Sequence, residues 1–423
     1  MRLTKKTVPI AAVAVAALFL SACAEGTAGP GGSGSGAGVA FGASKEEYQA
    51  AFEDVDPIVI HAQSPNAKGS VSGRYIEKYH EAVEDWSGGK ITLDTVYSSG
   101  VASPTDVDTA LSDGRLDIGQ IYPSYEPQEY PVNTALTEAS VTSDFSVVQG
   151  LLSSNAWAME VAGELPAAER EFEEKGMKLL VPYYIPGPTG MYCRDTRTSL
   201  GSLRGALVAA GGASQVAQLK ALGASPVSLP FTEMYEGLQR GVADCANSSL
   251  NSAANSGIPT VAAKATLDPG YGIAPVTGAM AMSVDTWDSL PLVAQQLLHD
   301  RIDVFMTEYL DANWEIAAQV SRQLQEAGGQ FVPFEQDARD TISAANADLV
   351  AEAGATEGVG DSAEFLARID AANEEWTGVV SGLGYDNPID YNGFGSWYEP
   401  GKIDTTNYVD KLMEVVYLPN RPA

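Results

Sequence analysis

The 423 residues carry 55 acidic against 25 basic side chains, for a formal net charge of −30. A surface of that sign repels phosphate backbones and anionic headgroups, which excludes nucleic-acid binding and charge-driven docking on a membrane. Hydrophobic residues make up 45% of the chain, and its length exceeds what one core usually supports, so two lobes are expected.

Arg2, Lys5 and Lys6 precede an apolar run from Val8 to Leu20, followed by Ser21-Ala22-Cys23. A positive flank, a short apolar core and small residues before a cut site describe a secretory signal over residues 1–22, and the run is too short for a membrane span. Leu-Ser-Ala-Cys also resembles a lipobox, in which Cys23 becomes the lipidated first residue; an ordinary signal peptide with a Cys near its end is the alternative. Residues 23–44 include a stretch from Gly26 to Gly38 dominated by Gly, Ser and Ala, which reads as a flexible tether. The folded body is expected from Lys45, held by a lipid anchor at the outer face of the cell membrane, an arrangement suited to a Gram-positive cell.

Asp56 to Ala62 reads as a short apolar strand, and Tyr75, Ile76, Tyr79, Ala82, Val83 and Trp86 recur at helical spacing before Gly88-Gly89. Strands follow at Ile91–Tyr97 and Leu116–Tyr122, separated by a helix entered at Pro104 and closed by Gly114. After Gly176 the order repeats: strands at Lys178–Tyr184 and Ser225–Leu229, a second edge at Gly190–Cys193 and the Leu203–Val208 segment, with helices at Ser214–Gly223 and Glu233–Arg240. Alternating strands and helices imply mostly parallel sheets whose ligands lie at the carboxyl ends of the strands. Ala279–Val284 returns the chain to the first lobe. A near-continuous helix from Thr286 to Gly328 is then expected to bridge both lobes, with further helices at Asp337–Ala353 and Ser362–Leu383. The expected division is lobe I from 45–183 plus 279–305, lobe II from 184–278 plus 306–354, and a C-terminal helix and tail over 355–423. Trp397, Tyr398, Tyr408 and Tyr417 are costly to leave wet, so the tail is expected to pack as a belt across one lobe. Besides Cys23 only Cys193 and Cys245 remain. In an oxidising compartment they can pair as a disulfide or stand as two buried thiols.

The run from Ala221 to Asp244, with Phe-Thr-Glu-Met-Tyr at its centre, resembles a signature of the extracytoplasmic solute receptors of TRAP (tripartite ATP-independent periplasmic) transporters, the DctP-like family. Gly89-Lys-Ile-Thr-Leu93, Ala110-Leu-Ser-Asp-Gly-Arg-Leu-Asp-Ile118, Ser202-Leu-Arg-Gly205 and Met282-Ser-Val-Asp-Thr-Trp-Asp-Ser-Leu-Pro291 match the same pattern, so the resemblance covers about Asp56 to Gly354. It implies an α/β, two-lobed periplasmic-binding-protein-like fold with a long bridging helix. The lobes would close on a small solute, commonly an organic acid, and deliver it to ion-coupled TRAP membrane subunits.

The departures bear on the ligand. Where the family usually has an Arg that pairs with the ligand carboxylate, this chain has Ala209; where an Asn commonly reaches the ligand, it has Ser248, preceded by Asn247. Tyr122 stands where a polar residue commonly ends the third strand, and Phe231 fits the aromatic position beneath the ligand. The candidate site combines Gln63 and Ser64 after the first strand, Tyr122 and Tyr125 after the third, Tyr192 and Arg194 two apart on a crossing strand, Phe231, Asn247 and Ser248. The reading is an aromatic-rich pocket whose ligand depends less on a carboxylate. Glu233 is expected to cap the helix that follows it.

Catalytic chemistry is not visible. His61, His80 and His299 lack paired ligand spacing, so no metal is expected, and no nucleophile elbow, phosphate loop or dinucleotide fingerprint appears. No cofactor and no enzyme activity are expected. A transport receptor leads; a ligand-sensing lipoprotein, an ABC-type substrate-binding protein and a secreted enzyme on the same scaffold are the alternatives.

Overall fold

The structure, a computed structural model, describes residues 36–227, 229 and 233–423. The signal segment, Cys23, most of the tether and Phe231 lie outside the described residues. The strands are β1 (Ile58–Gln63), β2 (Ile91–Val96), β3 (Ile118–Ile121), β4 (Met177–Tyr184), β5 (Thr189–Cys193), β6 (Leu207–Ala209), β7 (Ser225–Val227), β8 (Cys245–Ser249), β9 (Lys264–Thr266), β10 (Gly278–Ser283) and β11 (Gln330–Val332). They form two sheets, ordered β2-β1-β3-β10-β4 and β11-β9-β5-β8-β6-β7. In each sheet one strand runs against the rest. β10 pairs antiparallel with β3 and β4, and β5 pairs antiparallel with β8 and β9.

Local sequence explains these elements. In β2, Ile91 and Leu93 turn inward while Thr92 and Asp94 face solvent, the alternation of a half-buried strand. β10, Gly-Ala-Met-Ala-Met-Ser, is buried along its whole length, as expected of an interior strand covered on both faces. Gly278 is obligatory there. A Cβ at that position would come 2.3 Å from Cζ of the Tyr184 ring lying over it.

The helix Gln149–Glu164 has no counterpart in the sequence reading. It buries residues around nearly its full circumference, so it shows no apolar stripe to detect. The three-residue strands β9 and β11 likewise show no pattern along the sequence.

The bridging helix is shorter than expected. Helices Val284–Ser289, Leu292–Asp300 and Ile302–Glu326 replace one continuous run. The first break falls at Leu290-Pro291, because Pro291 cannot donate the backbone bond that a continuing helix requires. The second falls at Arg301, whose guanidinium lies 3.5 Å over the Trp86 ring. The 25-residue helix Ile302–Glu326 is about 38 Å long. It packs on helix Arg74–Trp86 beside the first sheet and on β11 of the second.

The segment 36–44 is not free tether. Val39 N donates to Gln296 Oε1 at 2.7 Å. The tail likewise departs from a belt on one lobe. Helix Tyr391–Trp397 is pinned to β11 by two bonds between Asn392 and the Phe331 backbone, whereas Tyr408 Oη donates to Leu152 O on helix Gln149–Glu164. The tail therefore runs from the edge of the second sheet to helices flanking the first.

Candidate ligand site

β1, β3 and β4 run parallel, since β10 is antiparallel to both of its neighbours. Their carboxyl ends share one edge, which carries Ser64, Tyr122 and Tyr184. Tyr75 joins from the start of helix Arg74–Trp86, and Phe305 and Tyr309 join from successive turns of the long helix. Ring centroids lie 5.2 Å apart for Tyr75 and Tyr309, 5.1 Å for Tyr184 and Tyr309, and 4.9 Å for Tyr75 and Phe305, all edge-on. The hydroxyls of Tyr184 and Tyr309 are buried without a well-formed hydrogen bond. Burial, reinforced by neighbouring phenols, pushes both well above the ordinary tyrosine pKa, so they stay protonated and able to donate.

The carboxyl ends of β6 and β8 and the amino end of β5 form the corresponding edge of the second sheet. Asn247 is buried there with both amide atoms unpartnered, and so is the Tyr192 hydroxyl. Unsatisfied buried polar atoms are costly, and both edges carry some of them, which makes these edges the candidate site.

Residues following β3 and β6 meet across a cavity of about 30 Å³ lined by Ser124, Thr134 and Glu138 on one side and Gly212, Ser214 and Gln215 on the other. A second, of about 10 Å³, lies beside Asn313, Trp314 and Tyr391. The larger has room for about two waters. Beside the carboxyl ends of the first sheet the rings of Tyr75, Tyr184, Phe305 and Tyr309 pack against one another.

The sequence-predicted residues divide accordingly. Tyr122 and Tyr125 lie at the edge with ring centroids 5.7 Å apart, and Ser64, Tyr192, Asn247 and Ser248 are at or near it. Gln63 reaches the edge, but its side chain is consumed by bonds to Val101 N, Ala102 N and Ala102 O. Arg194 does not join the site. It lies past the opposite end of β5, 41% exposed and 3.1 Å from Asp244. Tyr75, Tyr184, Phe305 and Tyr309 were missed, because helical or strand spacing assigns them to core packing. Cys193 and Cys245 are bonded across directly opposed positions of β5 and β8.

Residues 62–357 match the family described as bacterial extracellular solute-binding protein, family 7. The chain belongs to that family. Solved structures with the same fold include a TRAP periplasmic solute-binding protein from Bordetella bronchiseptica with bound mandelate, at 21% identity over 75% of this chain and 99% of that one (TM-score 0.65). Another, from Rhodoferax ferrireducens with copurified benzoate, is 16% identical over 76% and 99% (TM-score 0.65). A third, from Desulfovibrio salexigens, is 20% identical over 79% and 98% (TM-score 0.61). This member carries its tail, from residue 358, beyond the family match. Among the described residues no group of three or more His, Cys, Asp or Glu could hold a metal ion, and no helix is long and apolar enough to cross a membrane.

Proposed function

We propose that this member of the family captures a small solute between the carboxyl edges of its two sheets and hands it to TRAP-type membrane subunits. The observation that carries the reading is the set of buried groups without a well-formed hydrogen bond on both edges, Tyr184 and Tyr309 on one and Tyr192 and Asn247 on the other. A ligand bonding both sets would favour the closed arrangement by its contacts with both halves. The mandelate and benzoate held by its structural relatives match the size and aromatic character of a solute that Tyr75, Tyr122 and Tyr309 could face. Opening is needed for entry, since the rings occupy the cleft when shut; the hinges would be the crossings near 185–189 and 274–277 together with the long helix. The work is binding rather than bond-making. Cys23, lipidated, would keep the receptor at the outer face of a single-membrane cell. The test is mass spectrometry of small molecules released from the purified protein after exposure to cell extract. A defined solute, released on denaturation and absent from a variant carrying Ala at both Tyr184 and Tyr309, supports the reading; no retained solute removes it.

A further inference from the structure

The solute class can be taken further, given the receptor reading above. Glu138 is the charged side chain lining the larger cavity, and no Lys or Arg lines it. Its carboxylate accepts a bond from Ser214 Oγ at 3.1 Å, and Glu352 on helix Gln336–Gly354 adds a second acid nearby. Burial and Glu352 hold the Glu138 carboxyl above its ordinary pKa, as expected of an acid without a cationic partner. Two hydroxyls lining the same cavity, Ser124 Oγ and Thr134 Oγ1, are buried and unpartnered. Thr134 and Glu138 are one helical turn apart and so share a face.

The cations that would pair with a carboxylate at the positions considered above are missing or committed. Ala209 ends β6 with no charge. Arg194 is tied to Asp244 beyond the far end of β5, and Arg74, beside the tyrosine cluster, is bound by Glu308 at 3.1 Å and Glu315 at 2.7 Å. An ammonium group, by contrast, has three N–H donors; of the oxygen-bearing side chains that line the cavity, Thr137, Ser214 and Gln215 already donate or accept within the protein, while the Glu138 carboxylate and the unpartnered hydroxyls of Ser124 and Thr134 can accept from it. An ammonium head is close to a water in size, so a volume of about 30 Å³ admits it. Ser124 lies in the turn between Tyr122 and Tyr125, whose ring centroids are 5.7 Å apart, so the segment that lines the cavity also carries rings of the kind that favour a nearby cation.

We propose that the cavity between Glu138, Ser124 and Thr134 binds the protonated amine of an amine-bearing solute, with Glu138 as its counter-ion and the adjoining tyrosines against its apolar body. The competing reading makes Glu138 only a latch, holding the two halves together through Ser214.

The test is calorimetric titration of the full chain with matched probes, benzylamine, benzyl alcohol and benzoate, beside the capture experiment above. Benzylamine is expected to bind tightest, and Glu138→Gln to weaken it by about tenfold while leaving benzyl alcohol within about twofold. Ser214→Ala, which cuts the latch and keeps the carboxylate, is expected to leave benzylamine within about twofold. Should Glu138→Gln fail to fold, Thr134→Val, which removes one acceptor, is expected to weaken benzylamine selectively. Tighter binding of benzoate, no binding of benzylamine, or equal losses for amine and alcohol overturns the proposal. A captured solute with a carboxylate and no amine does the same yet leaves the receptor reading intact, whereas no captured solute of any kind removes both.

Discussion

Arg421 closes a bidentate ion pair on Asp300, Nε to Oδ1 and Nη2 to Oδ2, each at 2.9 Å. The same guanidinium donates through Nη1 to Val39 O at 2.9 Å, and Tyr48 Oη donates to Asp300 Oδ2 at 2.6 Å. Gln296, on the helix that ends at Asp300, donates to Pro422 O and accepts from Val39 N. The entry segment and the last segment are thus tied to one helix beside the first sheet.

Breaking that pair should be costly. Both side chains are nearly buried, at 10% and 4% exposure, and removing one partner leaves the other charge uncompensated. Arg421→Ala is expected to lower unfolding free energy by about 3–5 kcal/mol and to expose the tail to limited proteolysis. Burial works to raise the Asp300 pKa, but bonds from His299, Arg421 and Tyr48 outweigh it and hold it below the usual value. Its stabilisation is therefore present above the ordinary Asp range and lost as pH falls through the depressed value. Denaturant titration of wild type and variant checks both; unchanged stability would mean the tail is held elsewhere.

The tyrosine hydroxyls separate binding from stability. Tyr184 and Tyr309 bury hydroxyls that make no well-formed bond, so Phe at either position removes a desolvation cost and should leave stability unchanged or higher by about 1 kcal/mol. A solute that uses the same hydroxyls loses a bond, weakening its affinity by about 5- to 10-fold. Thermal unfolding alongside calorimetric titration of the captured solute reads the two effects. Loss of stability without loss of affinity would return these residues to core packing.

The disulfide sits in a small apolar core with Met191, Val208 and Leu219. With its ends 52 positions apart in sequence, the chain-entropy model gives about 4 kcal/mol. The double variant Cys193→Ala, Cys245→Ala is expected to lose an amount of that order in denaturant unfolding, and a loss below about 1 kcal/mol would show that native packing, not the cross-link, sets stability there. Solute affinity is expected to change little, since Cys193 and Cys245 lie inward from the edge that carries Asn247.

Arg194→Ala tests the direction of β5. The strand runs antiparallel to β8, so rising numbers lead away from the ligand edge, and Arg194 ends beside Asp244. Affinity for the captured solute is expected to stay within about twofold, and stability to fall by no more than about 1 kcal/mol because the pair is partly exposed. A tenfold loss of affinity would require Arg194 to reach the cleft in some other arrangement.

These residues also mark what the sequence could tell. Alternating strands and helices were legible because their periods and glycine stops are local, and the run from Ala221 to Asp244 pointed to the family before any coordinate. Strand direction was not local. Tyr192 and Arg194 looked equivalent at a spacing of two, yet only antiparallel pairing decides which of them approaches the ligand edge. Tyr75 and Tyr309 carry the same apolar spacing as their core neighbours. They reach this edge because one helix begins, and another crosses, where β1, β3 and β4 end. Gln63 ends its strand as its position in the sequence suggests, but nothing in its neighbourhood announces that Val101 and Ala102 claim its amide. The Glu138 cavity depends on residues more than 70 apart, so no window along the chain contains it.

His80 supplies a last prediction. It lies 6% exposed on helix Arg74–Trp86, with Nδ1 2.9 Å from Thr95 Oγ1. Burial alone pushes its pKa down to about 3. An unfolded histidine titrates near 6.5, so between these values the unfolded chain binds a proton that the folded chain refuses. The sign follows: stability is fully present above about pH 6.5 and is lost as pH falls toward 3, by about 2 kcal/mol at pH 5 from this residue alone. His80→Gln keeps a polar group near Thr95 and cannot titrate. It is expected to be less stable than wild type at pH 7.5, because of imperfect packing, and to flatten the fall in unfolding free energy between pH 7.5 and 5 by that amount. Carboxylates titrate alike in both proteins and cancel in the difference. An identical slope in the variant, or a ring that protonates near pH 6 by NMR in the folded protein, would place water rather than protein around the imidazole.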